Sequence, residues 1–231
     1  MTDHYTTYSI CNDSTMLSLL MLNILGCLYA LAKNRYSIGE RIKIWYLYTG
    51  QTTPFNNRAD ITPTGNFILY WQVIFCCSVI AMRHINNIHS FTDSSQAYVV
   101  FAMLASAYIL FFFAKRIVYD IVNYTLFGKE QARLWKESYF FTIKITGFLL
   151  LPIATLVIIY PDISEIITVT YLLFTVIMFA IMLIIRGFNI IFDKKHYFLD
   201  IFLYLCAIEL LPLCLMWHAI SKTNLLEIIK I

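Results

Sequence analysis

The chain has 231 residues and a net charge of +3; 60% of its residues are hydrophobic and only 13% are charged. Soluble domains carry about 25% charged residues, and a water-soluble chain of this length has too little interior to hide so much apolar surface. With a mean hydropathy of +0.70, the composition excludes a soluble globular protein and predicts an all-α, polytopic membrane bundle. The whole chain, residues 1–231, forms one integral membrane domain without a separate soluble domain.

A helix needs about 20 apolar residues to cross the hydrocarbon layer. Six segments are predicted to span, at about 15–32, 66–82, 98–114, 140–160, 166–185 and 198–220. The first is preceded by "MTDHYTTYSICNDS", which has no Lys or Arg, and is followed by Lys33 and Arg35. That charge order is the reverse of a cleavable signal peptide. The second is the weakest, being short and interrupted by Gln72.

The connections between segments alternate in charge. The first holds Lys33, Arg35, Arg41, Lys43 and Arg58; the third holds Lys115, Arg116, Lys129, Arg133 and Lys136; the fifth holds Arg186, Lys194 and Lys195. On the other side stand only Arg83, Lys222 and Lys230, so the count is thirteen against three. The positive-inside rule then places both termini away from the cytoplasm, and an odd number of helices would break the alternation. Aromatics such as Trp71, Trp135, Tyr139 and Tyr160 fall near segment ends, where amphipathic rings anchor at the interface.

Two of the basic connections carry structure of their own in this reading. Ser37–Tyr48 mixes bases with aromatics and suits an interfacial helix. Ile117–Ser138 extends the third helix until Gly128 interrupts it. Pro54, Pro63 and Gly65 bracket "PFNNRADITPTG", which reads as a turn-rich loop.

The candidate intramembrane polar site consists of Glu209, Pro212, Lys144, Gln72 and Asn23. Glu209 lies about 15 Å from either end of the sixth segment at 1.5 Å per residue. A charge at such depth costs about 3 kcal/mol or more, so the acid is neutral, paired or facing a wet cavity. Pro212 has no N–H to give the carbonyl of Ile208, which frees an acceptor beside Glu209. Lys144 can snorkel to the headgroups or point inward toward Glu209, with Pro152 opening the helix above it. Asn23 and Gln72, at middle depth, suit interhelical hydrogen bonds. A neutral Glu209 that locks packing and a Glu209 that holds a proton or ion are both consistent with the residues.

No catalytic nucleophile, cofactor motif or metal-ligand pattern is present. His84 and His89, with Asp93 nearby, are five residues apart, a spacing that does not share a helical face. The six cysteines, including Cys76 and Cys77, form no C-x-x-C pair. Five of them lie in apolar segments, where reduced cysteine packs as a small hydrophobe.

The C-terminal stretch "HYFLDIFLYLCAIELLPLCLMWHAI" resembles the closing helix of the bacterial integral membrane proteins grouped as domain of unknown function 4271, found mainly in Bacteroidota. The matching positions are Leu203, Tyr204, Leu205, Cys206, Glu209 and Pro212; "PFNNR" and "GFLLLPI" fit the same layout. The resemblance implies a multi-pass protein of the bacterial inner membrane with about six helices, and brings no activity, substrate or catalytic residue with it. The expected function is a non-enzymatic scaffold or accessory subunit of an envelope assembly. The alternative is a small proton- or ion-coupled transporter using Glu209. The expected partners are the lipid bilayer and membrane proteins or a second copy of the chain, with no nucleic acid and no cofactor.

Overall fold

The structure, a computed structural model, describes residues 13–34, 62–88, 94–126, 129–160 and 165–191. These residues form five α-helices: α1 (Ser14–Lys33), α2 (Pro63–Ile88), α3 (Ser94–Leu126), α4 (Lys129–Ile159) and α5 (Glu165–Ile191). All five are long and apolar enough to cross a membrane. Helices are the expected solution, because hydrocarbon offers backbone amides no partner outside their own segment. The sixth predicted segment, the Ser37–Tyr48 stretch, Glu209 and Pro212 lie outside the described residues.

Local chemistry sets where the helices begin and end. Asp13 caps α1 by accepting the Thr15 N–H at 2.9 Å, which satisfies one of the open amides of the first turn. At the other end Asn34 donates from its side chain to the Ala30 carbonyl at 2.8 Å. The same amide oxygen accepts the Thr62 N–H at 3.0 Å, so one residue closes α1 and joins it to the start of α2. Thr62 in turn accepts the Gly65 N–H on its hydroxyl at 3.3 Å, and Pro63 occupies the first helical position, where a missing N–H costs nothing. Pro63 and Gly65 therefore belong to the first turn of α2 rather than to the loop expected from their composition. Gly65 is required there by proximity: a Cβ would stand 2.2 Å from Asn34 Nδ2.

The helices outrun the predicted apolar windows. α3 extends to Leu126 and α4 begins at Lys129, so both sides of the connection expected over Ile117–Ser138 are helical, while Gly128 lies outside the described residues. At 1.5 Å per residue α3 is about 50 Å long. Consecutive helices run antiparallel, which makes α2 and α4 parallel neighbours. α2 packs against α1, α3 and α4, while α5 packs on α4. The segment expected to be the weakest is thus the interior helix: 67% of its apolar stretch is buried, against 22% for α3 and for α5.

The main core joins Met16 and Leu20 of α1 to Phe75, Val79 and Met82 of α2, Val100 and Leu104 of α3, and Ile153 and Val157 of α4. A second cluster lies toward the basic end, where Tyr119, Trp135, Tyr139, Ile143 and Leu183 gather around Val73. Pro152 leaves α4 helical but removes one amide from its ladder. On the turn before it, the Leu149 carbonyl accepts the Tyr171 hydroxyl of α5 at 2.8 Å, which ties the weakened turn to its neighbour.

Candidate functional site

Two buried polar side chains, Gln72 and Lys144, make contacts across the meeting of α2 and α4. Gln72 is fully buried and donates through Nε2 to the Gly147 carbonyl of α4 at 3.2 Å. The approach that permits this bond depends on glycine: a Cβ on Gly147 would stand 2.6 Å from Val73 Cγ2. Val73 is β-branched and has little rotamer freedom in a helix, so it cannot swing aside. The seam is a close contact of two helices with an amide pinned across it.

Lys144 occupies the same seam closer to the basic end. It is 8% exposed rather than extended toward headgroups along the lipid surface. Its ammonium donates to Asn66 Oδ1 at 2.5 Å and stands 4.9 Å from the centre of the Tyr70 ring. An amide oxygen and a ring face are both attractive to a cation in a poorly solvated place. Counted from Phe140, where the apolar run of α4 begins, Lys144 lies about one turn inside it.

Asn23 is buried on α1. Cys27, one turn later on the same face, lies beside Gln72. Asn23, Gln72 and Lys144 are thus all interior and distributed over α1, α2 and α4. Hydroxyls in the spans largely serve their own helices: Ser78 donates to the Ile74 carbonyl, Thr142 to Ser138 and Thr175 to Tyr171.

A ring-and-cation set surrounds the basic end of this seam. Tyr70 meets Phe140 edge-on at 6.0 Å, Phe140 meets Tyr139 at 5.4 Å, and Tyr119 lies against Tyr139 at 4.4 Å. Arg116 stands over Phe140 at 5.9 Å, and Lys115 stands over Tyr139 at 5.2 Å. Lys136 of α4 pairs with Asp120 of α3. Leu183 of α5 and Val73 of α2 belong to the same cluster as Tyr119, Trp135 and Tyr139, so these α3–α4 contacts are part of the bundle.

Charged and polar side chains at the opposite end hold the helix starts together. Asp13 accepts the Tyr98 hydroxyl at 2.6–2.7 Å on its two oxygens, and Thr15 also contacts Tyr98. His84 of α2 meets Glu165 of α5 at 3.1 Å. Sequence reasoning missed Asn66, Tyr70, Asp13–Tyr98 and His84–Glu165 as partners. Only the caps had a signal, in Asp13 before an apolar run and in Thr62–Pro63; the cross-helix partners depend on rotation.

Comparison with known proteins agrees with the C-terminal resemblance. The family model described as Domain of unknown function (DUF4271) matches residues 16–220. The chain belongs to this family. No curated protein and no solved structure matches it. In this DUF4271 member, the match takes in all of the α2–α4 seam and the three stretches whose residues carry the resemblance. Chemically, the described seam offers amides, a cation and rings engaged with one another, a set suited to locking helices and to attracting negative charge.

Proposed function

We propose that this DUF4271 protein is a six-helix protein of the bacterial inner membrane, with both termini outside the cytoplasm, that acts as a non-enzymatic scaffold or accessory subunit of an envelope assembly. The observation that carries the reading is Gln72, buried and bonded across the α2–α4 contact to Gly147. A polar side chain used in this way holds two helices at fixed separation, and a close-packed seam leaves no room for a substrate path along it. The six-helix arrangement is supported by the alternating basic connections and by the antiparallel order of α1 to α5.

The test is purification of the full chain in mild detergent, followed by identification of what copurifies. A scaffold retains one partner at reproducible stoichiometry across preparations. A monodisperse lone protein that moves an ion or solute after reconstitution contradicts it. Reporter fusions at both termini check the topology, with a cytoplasmic signal at either end overturning that part.

A second reading, a proton- or ion-coupled transporter using Glu209, is favoured by the burial of Lys144 on α4. A lysine and a carboxylate at neighbouring depths are groups that carriers use. Glu209→Gln separates the readings. Under the scaffold reading it preserves both abundance and function while Glu209→Leu lowers abundance; under the carrier reading Glu209→Gln keeps abundance and abolishes function.

A further inference from the structure

We propose that the α3–α4 junction around Arg116 is a binding site for the headgroup of an anionic phospholipid. Three cations on two helices converge there on one connected set of rings. Arg116 lies over Phe140, which touches Tyr70; Lys144 lies over Tyr70; Lys115 lies over Tyr139, which touches Phe140. Arg116 is also close enough to Tyr70 to act on it electrostatically. Lys115 and Lys144 are buried and held in place, whereas Arg116 is exposed. The buried cations therefore supply a fixed positive field, and Arg116 supplies donors that a ligand can reach.

The position suits a lipid rather than a solute. Arg116 follows the apolar run of α3, where a headgroup would lie. Ile109 and Phe113, seven and three residues earlier, share its helical face and are 46% and 64% exposed. They form an apolar track against which an acyl chain can lie while the phosphate meets the guanidinium. A guanidinium stacked on a ring keeps in-plane N–H groups for a phosphate, and binds it in a two-pronged geometry. Asp120, the carboxylate one turn further along α3, is in an ion pair with Lys136. The charge of the site thus complements a phosphate that carries its own apolar tail.

Native mass spectrometry of the full chain, released from nanodiscs of equal phosphatidylglycerol and phosphatidylcholine, tests the site. The protein should retain phosphatidylglycerol preferentially. Arg116→Gln should lower that retention about fivefold, the weight of one basic residue at an anionic surface, and Arg116→Lys should restore part of it. Because Arg116 is exposed, the variants should melt within a few degrees of the parent, which shows that any loss is one of binding. Equal retention of the two lipids, or unchanged retention in Arg116→Gln, overturns the proposal. So does inorganic phosphate at millimolar concentration displacing the lipid completely, which would mark a site for free phosphate.

Discussion

The α2–α4 seam and the outer face of α3 are made from similar residues and obey different rules. In the seam, Val73 and Gly147 approach so closely that one added methyl has no place, and Gln72 and Lys144 have partners on the facing helix. On α3, Leu110 is 67% exposed and Phe113 64% among the described residues. Lipid tails are as apolar as leucine, so burial of hydrocarbon does little to hold membrane helices together. What separates the regions is packing geometry and polar pairing, and the bundle should respond to changes in these rather than to changes in apolar area.

The largest effect should come from Gly147→Ala. Its new methyl meets the stiff Val73 side chain, and forcing the helices apart should cost about 2–3 kcal/mol, seen as a clear drop in melting temperature in detergent or nanodiscs. A neutral result would mean the contact is looser than 2.6 Å implies. Asn66→Leu comes next. It takes an amide oxygen from a buried ammonium and should cost about 1–2 kcal/mol by the same melting assay; equal stability would show that Lys144 does not depend on that bond. Gln72→Leu should be milder, about 0.6 kcal/mol, the size usual for one interhelical hydrogen bond in a membrane. Leu110→Val on α3 should be smallest, within about 0.5 kcal/mol, since Leu110 is exposed among the described residues. A Leu110→Val loss as large as that of Gly147→Ala would erase the contrast between the two regions.

Hydropathy located the helices because the membrane tests a segment as a whole: about 20 apolar residues satisfy it regardless of their order. It misplaced their ends for the same reason. α3 and α4 continue as helices past Lys115 and back to Lys129, where charge dilutes the apolar average although helix geometry persists. Pro63 and Gly65 look like loop residues, yet one is a good first helical residue and the other is needed beside Asn34. Gln72 lowers the apparent quality of the second segment, while the fold uses it in the most buried helix of the described set. An average over a window counts a glutamine as a cost and cannot register its partner.

Rotation was the part least legible from sequence. Depth alone grouped Asn23, Gln72 and Lys144 with Glu209, but depth does not say which way a side chain faces. The structure turns the first three inward, and it identifies Asn66 and Tyr70 as what Lys144 meets. Neither was marked by composition, since an asparagine at a segment start and a tyrosine one turn later are ordinary interfacial residues. Glu209 and Pro212 lie outside the described residues, and the Glu209 substitutions bear on them directly.

In this reading the polar residues between α1, α2 and α4 lock a dry interface and do not line a water-filled path. Cys27 is a native reporter of it, because it is 4% exposed and lies beside Gln72. Sealed membrane vesicles of both orientations can be treated with a membrane-impermeant maleimide and the labelled peptides mapped by mass spectrometry. With a dry interface, Cys27 stays unlabelled from either side until the protein is denatured. Rapid labelling of Cys27 in the folded protein would show water reaching Gln72, and would contradict it.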